Sequence, residues 1–523
     1  MPATDSSVGK ADAIVVGSGI GGLTVAALLA KLRGMRVLVL EQHFRVGGYT
    51  HTFSRPGGFR WDVGIHYVGE VADRGLIGDV CRSLTGGDLA WARMEDPFER
   101  LVFPGFEFAI RSGRSRFADD LVAAFPAEAK GIRRWLGDLD RASRFMAVVA
   151  SRSLAPAPAR WAMSAALSRA GRLAATTTRV HLEATVRDPK LRAVLGARWG
   201  DYGLPPSASA MFAHAMIVRH YFGGAAYPVG SAARIAETII PTIERAGGSV
   251  RVRARVSEVS VEAERVRGVR LDSGEELWAP LVISDAGARN TYLRLLRPEV
   301  PIPFRDEVAR APRGAAYVSL YLGLSASPAS LGVRGENFWI HAGLDHDALW
   351  AARDRVLDGC PPVVFVSFPS LKDPHARVHT AQISSGVDAG AFARWAGTRW
   401  MRRGDEYAAL KETIAEGLLE TAERRLPGLR SLVVHRELST PISAEKFGGH
   451  PDGEMYGIPF TPERLRLRWL QPRTPVAGLF LTGADALVPG MAGAMMGGVI
   501  SAAAILGTPT VLGTVLAAFR RRT

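Results

Sequence analysis

Residues 17–22 of the chain read GSGIGG, and no other short segment restricts its fold as strongly. An apolar run, residues 12–16 (DAIVV), precedes them, and residues 23–32 follow with the apolar spacing of a helix. Strand, glycine turn and helix in that order open a βαβ unit and call for a parallel sheet. Each glycine has its own duty: Gly17 permits the tight turn, Gly19 lets backbone approach a pyrophosphate, and Gly22 lets helix pack on strand, with the helix N-terminus facing the anion. Residues 36–40 (RVLVL) form a second apolar strand ending at Glu41, about twenty residues on, where a carboxylate accepts ribose hydroxyls. A negative charge there repels a 2′-phosphate and disfavours NADP at this position, which leaves FAD and NAD.

The other end of the chain favours FAD. Residues 478–482 (GLFLT) read as another buried strand, followed by GADALVPGMAGAMMGG and an apolar helix running to about residue 506. A strand ending at Gly483, an acid at Asp485 and a helix start at Gly490, Met491 and Gly493 bring a second helix dipole to a second part of one long cofactor. Two nucleotide-binding halves near opposite termini suit an extended FAD better than NAD. No second G-x-G-x-x-G is present for a nicotinamide cofactor, so the electron source is open among NAD(P)H, a protein donor, a quinone and oxygen. Hydropathy alone marks residues 490–506 as a candidate membrane span, but the same residues are needed as the buried helix.

At 523 residues, 47% hydrophobic and 22% charged, the chain has material for two packed domains. Its formal charge of +14 comes almost wholly from arginine, since lysine occurs only seven times. No basic tract is interleaved with stacking aromatics, so nucleic acid is not an expected partner, whereas weak attraction to an anionic lipid surface is. Cys81 and Cys360 make neither a disulfide framework nor a zinc site and are expected as free thiols in a reducing compartment. His375 and His379 stand at H-x-x-x-H spacing without a third ligand, and no metal is expected. The opening MPATDSSVGKAD holds no apolar core, so no cleaved signal peptide is expected; a cytoplasmic location follows, with any lipid contact peripheral, on the cytoplasmic membrane face. Residues 144–180 combine apolar residues with arginines and contain no acid, a composition shared by helices lying on a membrane and by helices with a solvated arginine face. In the tail, residues 509–523, about ten apolar residues capped by Arg520, Arg521 and Arg522 are too few to span a bilayer and enough to dip into one.

Pro-rich breaks and strand patterns assign about 1–105, 225–300 and 436–508 to the nucleotide domain, and 106–224 with 301–435 to a second, substrate-binding domain. Residues 249–261 and 266–271 read as hairpin strands with a turn at 272–274, and residues 317–324 and 363–368 as strands of a substrate-facing sheet. Several segments carry a resemblance that runs over nearly the whole chain: VLEQHFRVGGYTHTFSRPGGFRWDVGIHYVGE (39–70), AAYPVGSAARIAETIIPTIERAGG (225–248), ISDAGARNTYLRLL (283–296), FPSLKDP (368–374), MYG (455–457) and LTGAD. They resemble the retinol saturase branch of the phytoene desaturase and carotenoid isomerase flavoprotein family. Gln42, His43, His66 and Tyr67 favour saturase-like members over the isomerase branch.

The resemblance implies an α/β protein with a Rossmann-type FAD-binding domain of the GR2-like flavoprotein fold, assembled from discontinuous segments, and an inserted α+β substrate domain. It puts Gly17, Gly19, Gly22, Glu41, Gly47, Gly48, Gly483, Asp485, Gly490, Met491 and Gly493 at the FAD, with Val256 flanking the adenine. The activity it implies is oxidoreduction at carbon–carbon double bonds of a hydrophobic polyene or isoprenoid lipid, foremost saturation by hydride from flavin N5 plus a proton. A carotenoid-type desaturase, a cis–trans isomerase and a non-catalytic prenyl-lipid escort are the alternatives. Ser231 departs from the pattern, standing where saturases carry a second glycine after PVG. His66 and Tyr67, in a segment expected near the flavin, and Tyr456 are the leading proton donors, with His51, His220, Tyr221 and Tyr227 as further candidates. Packing against a backbone partner is the competing role for each. No particular lipid or oligomeric state follows from these motifs.

Overall fold

Short runs of β-branched and aliphatic residues, buried on both faces, are strands of a parallel sheet covered by helices. Ala13–Val16 and Val37–Leu40 are such runs, and they pair in parallel with Val15 opposite Val39. In the computed structural model, which describes residues 11–72, 75–154, 176–507 and 511, they sit inside a five-stranded parallel sheet. Its order is Leu479–Leu481, Val282–Ser284, Ala13–Val16, Val37–Leu40, Ser249–Arg251, so segments from both ends and the middle of the chain build one layer. Helices Ile20–Arg33, Ala233–Glu244 and Gly490–Leu506 share its core through Leu23, Ile239 and Val499. Ile20–Arg33 stops at Gly34, whose left-handed backbone lets its N–H close on the Ala30 carbonyl.

The expected strand 249–261 is two strands. Arg253 takes a left-handed backbone (φ 54°), its N–H donates to the His43 carbonyl, and the Ala254 N–H donates to the Glu41 carbonyl. That capture ends Ser249–Arg251 in the parallel sheet and sends Val256–Glu262 away to pair antiparallel with Arg265–Leu271.

The second layer is a seven-stranded sheet ordered Val433–Ser439, Ala316–Leu324, His379–Val387, Val363–Ser367, Asn337–His341, Glu99–Phe103, Phe106–Ile110. Alternation along Ala316–Leu324 divides its two faces. Val318, Leu320 and Leu322 enter a core with Ile414, Leu418 and Ala422 of helix Asp405–Arg425, while Tyr317, Ser319 and Tyr321 turn toward the nucleotide layer. Two boundaries are corrected by strand pairing. Glu99–Phe103 pairs with Asn337–Ile340, so the boundary expected at 105 falls in the turn of a hairpin that belongs wholly to the second sheet. Val433–Ser439 pairs with Ala316–Leu324, so the last nucleotide-domain piece begins after Ser439 rather than at 436.

The lipid-contact readings fall mostly outside the described residues. Of residues 144–180, only the backbone of helix Ala129–Leu154 and the residues from 176 onward are described, and of the tail 509–523 only Val511. Among the described residues no helix is long and apolar enough to cross a membrane, and Gly490–Leu506 is buried against Ile20–Arg33.

That contact rests on glycine. A Cβ on Gly498 would lie 2.6 Å from the Gly21 carbonyl oxygen, and one on Gly497 would collide with the Gly483 carbonyl. Gly497→Val therefore lowers unfolding free energy by about 1–3 kcal/mol or more, as overpacking does. Gly137→Ala, in a helix with nothing within 4 Å of the new methyl, is stabilising by about 0.5–1 kcal/mol. Denaturant titration of the two variants checks the contrast.

Candidate active site

Between the two sheets lies a cavity of about 1360 Å³, larger than the roughly 300–1,000 Å³ that one small ligand occupies. Its floor is the glycine turn. Gly17 has φ +100°, a backbone that side chains disfavour, and Gly48 approaches so closely that a Cβ there would lie 3.1 Å from the Gly19 Cα. Helix Ile20–Arg33 starts at this floor with no side-chain cap and no acid in its first turn. Helix Gly490–Leu506, likewise uncapped and without an acid in its first turn, presents Gly490 and Met491 to the same cavity. Two positive dipole ends thus face one space.

Glu41 forms the wall beyond the second strand. Its carboxylate accepts from the Ser18 N–H (2.9 Å), the Ser18 hydroxyl (2.6 Å) and the His43 N–H (2.7 Å), which fixes its orientation. Val256 lines the cavity with it. Toward the C-terminal side, Asp485 accepts from the Ala288 N–H (2.7 Å) and the Ile458 N–H (2.9 Å) and so clamps three segments at the cavity edge. Gly47 lines the wall as well. Gly22, Gly483 and Gly493 stand behind it, where side chains would collide with the Gly17 carbonyl, the Asp285 carboxylate and the Val488 carbonyl. The site fits a dinucleotide: a glycine cradle, two helix N-termini and a fixed carboxylate share one continuous space.

Asp285 was not singled out by its sequence pattern. It follows strand Val282–Ser284, and its carboxylate sits among Gly19, Gly21, Gly22 and Gly483. Burial, with Glu41 and Asp485 adding to it, pushes its pKa up to about 7, against an amide of Gly22 that lowers it. Its position at the carboxyl end of a third parallel strand was the available signal.

The proton-donor candidates are separated by the structure. His66 lies outside the cavity lining with its ring edge on Phe365, and burial together with the Lys372 cation pushes it down to about 3. Its carbonyl accepts from Lys372 Nζ at 2.9 Å. Tyr67 is sealed in a charge cluster, with its hydroxyl 2.7 Å from Glu99 Oε2, 3.0 Å from Asp201 Oδ1 and 3.0 Å from Arg198 Nη1. Tyr221 stacks on it at 4.6 Å, Tyr227 bonds Asp62, and His220 accepts from the Gly69 N–H, so none of these three faces the cavity. His51 and Tyr456 do. His51 has Nδ1 2.6 Å from the Gly48 carbonyl, and burial lowers it to about 4. Tyr456 shares a partner with Tyr317, a cavity residue that sequence reading missed: both hydroxyls donate to the Gly200 carbonyl at 3.3 Å. Burial raises both above the ordinary tyrosine range.

Ser231 adopts φ +94°, and its buried hydroxyl has no partner. This left-handed backbone is the physical reason a glycine suits the position. Ser231→Gly is expected to raise stability by about 1 kcal/mol, measured by chemical denaturation.

Residues 15–84 match the family model of an NAD(P)-binding Rossmann-like domain. Among curated relatives, an all-trans-retinol 13,14-reductase of Danio rerio is 34% identical over 95% of this chain and 86% of its own length. A chloroplastic prolycopene isomerase of an Oncidium hybrid cultivar is 26% identical over 92% of the chain and 80% of that protein. Among solved structures, the cyclohexylamine oxidase of Brevibacterium oxydans shares the fold, with a TM-score of 0.59 at 17% identity over 97% of this chain and 99% of that one. The identity to the Danio rerio protein extends over nearly the whole length, so the chain belongs to the retinol saturase-like branch of the phytoene desaturase and carotenoid isomerase family.

Proposed function

We propose that the chain is an FAD-dependent oxidoreductase that saturates a carbon–carbon double bond of a hydrophobic polyene. The observation that carries this is the continuity of the cavity, which joins Glu41 and the two helix N-termini to the face of the seven-stranded sheet bearing Tyr317 and Tyr321. A space of that size accommodates a dinucleotide and an elongated apolar molecule together. The name of the Danio rerio relative supports reduction of a polyene, and that of the Oncidium relative supports cis–trans isomerisation as a second reading.

Gly17, Gly19, Gly47, Gly48, Gly490 and Met491 would hold the cofactor's phosphates and flavin side, and Glu41 and Val256 its adenosine. When bound, the flavin supplies a hydride to one carbon of the double bond. The other carbon needs a proton, and Tyr456 presents a hydroxyl to the cavity. Tyr317 lies edge-on to it at 6.1 Å and fixes its orientation through their common bond to Gly200. Tyr456 replaces His66 and Tyr67 as the leading proton donor, because neither lines the cavity: the His66 ring packs on Phe365 and the Tyr67 hydroxyl is held by Glu99, Asp201 and Arg198. The chain carries one glycine fingerprint, so reducing equivalents come from a donor outside its own nucleotide fold, from NAD(P)H, a quinone or another protein.

Anaerobic incubation of the reduced protein with all-trans-retinol and with a carotenoid, read by mass, tests the function. Saturation adds two hydrogens; an unchanged mass with altered chromatographic retention selects isomerisation; protein that binds no flavin sinks both. Glu41→Ala is expected to lower flavin occupancy severalfold on gel filtration. Tyr456→Phe should keep the flavin and slow single-turnover reduction by about 10²-fold or more. Raised hydroxyl pKa values keep both tyrosines protonated as pH rises, so the wild-type single-turnover rate should stay flat from neutrality to about pH 10, the ordinary tyrosine range.

A further inference from the structure

Three acids, Glu41, Asp285 and Asp485, stand around the glycine floor of the cavity, where an anionic diphosphate has to settle. Two of them are compensated. Glu41 accepts from the Ser18 N–H and hydroxyl and the His43 N–H, and Asp485 accepts from two amides with Arg464 Nη1 3.9 Å away. Asp285 meets one amide, that of Gly22, and forms no ion pair among the described residues. Its backbone cannot carry it away, because its N–H donates to the Val16 carbonyl at 2.8 Å and the preceding Ser284 carbonyl accepts from the Thr482 N–H at 3.0 Å.

The Asp285 carboxyl group is wedged between the starts of both helices. A Cβ on Gly21 would lie 2.7 Å from one of its oxygens and a Cβ on Gly22 3.1 Å from the other, and side chains at Gly19 and Gly483 would collide with it. Neither helix has an acid of its own in its first turn. Each N-terminus carries roughly half a positive charge, so one carboxylate between them cancels about what the pair offers an anion. A neutral carboxyl group there leaves that field to the diphosphate and adds an O–H donor. The surrounding groups do not hold Asp285 ionised. Glu41 at its strand end and Asp485 in the turn at 484–486 repel it, and the glycine turn and the first turn of Gly490–Leu506 carry no titratable side chain. Arg289 is committed to the carbonyls at 308, 311 and 312, Glu454 accepts from the Gly314 N–H at 2.8 Å, and His450 stacks on Tyr49 at 5.9 Å. Burial, ahead of the two like charges, pushes Asp285 up to about 7.

Resting on the flavin reading above, we propose that Asp285 captures FAD as a neutral acid: binding draws one proton from solvent onto its carboxylate, and the resulting O–H donates to a diphosphate oxygen. The bound anion favours the protonated form. Affinity is therefore full below the pKa that Asp285 has without the cofactor and falls as pH rises through it, by up to about tenfold per pH unit for one proton. Asp285 thus makes flavin retention sensitive to pH in the neutral range, while Glu41 keeps its separate task at the adenosine.

FAD affinity of the full chain, read by flavin fluorescence between about pH 6.5 and about pH 8.5, tests it, together with calorimetry of FAD binding in two buffers of different ionisation enthalpy. The wild type should lose affinity by about tenfold or more across that range and take up about one proton per FAD at its upper end. Asp285→Asn, which keeps a donor without the charge, should hold FAD with less than about twofold change, and Asp285→Ala should hold it weakly and equally at each pH. His450→Gln, which removes an imidazole from the same cavity wall, should keep the wild-type pH dependence. Melting temperature of each variant separates lost binding from lost folding, and where Asp285→Asn does not fold, proton uptake by the wild type decides alone. A wild type whose affinity is flat with pH or that takes up no proton would overturn the proposal. So would a folded Asp285→Asn that is as pH-sensitive as the wild type or holds no flavin, or a His450→Gln that loses the pH dependence. FAD bound equally at every pH leaves the functional reading standing, whereas a chain that binds none at any pH removes both. Excess FAD keeps the site filled throughout, so the flat single-turnover profile expected from Tyr456 is untouched.

Discussion

Two helices from opposite ends of the chain touch through their backbones, and the rest of the structure depends on that touch. Gly498 brings helix Gly490–Leu506 against Gly21 and Thr24 of Ile20–Arg33, where a Cβ would lie 2.6 Å from one backbone oxygen and 2.7 Å from the Thr24 Cβ. The strands leading into both helices run parallel in one sheet, separated by Val282–Ser284, so both helix N-termini point the same way. Their dipoles therefore add at the cavity floor. Asp485 closes this arrangement by bonding amides at 288 and 458, which makes a residue on the cavity wall also a fastening of the fold.

The seven-stranded sheet is fixed above that floor by polar groups rather than by apolar packing alone. Arg198, with its side chain 6% exposed, bonds Glu99 at 3.0 Å and Asp201 at 3.2 Å and approaches the Tyr221 ring at 4.3 Å. Lys372 donates to the His66 carbonyl, Asn337 Oδ1 and Ser367 Oγ from the other side. Buried charges of this kind add little net stability, yet removal of one partner costs about 3–5 kcal/mol. Their effect is positional: they hold residues 63–65 on the cavity wall while turning His66 and Tyr67 into the seam between the layers.

The sequence was most legible where local pattern and tertiary role coincide. The glycine turn, the strand ending at Glu41 and the C-terminal strand and helix all lie where their residue types imply, because glycine at a close approach and four buried aliphatics leave few alternatives. Residues 317–324 were likewise readable as a strand of the second sheet, although nothing in them marked Tyr317 as a cavity residue. What could not be read depends on partners far away in the chain. The break at Arg253 is set by carbonyls at 41 and 43, and the allegiance of Glu99–Phe103 by pairing with Asn337–Ile340. His66 and Tyr67 belong to an irregular segment with no period to fix side-chain direction, and Lys372 and Arg198 decide it.

At the centre of this account is one cavity that takes a flavin and a polyene side by side. The most direct measurement is the visible absorption of the flavin-loaded, oxidised protein during titration with all-trans-retinol. The account predicts a saturable perturbation of the flavin bands that tracks retinol binding. Retinol bound to the protein with the flavin bands unchanged would place the two in separate sites and contradict it.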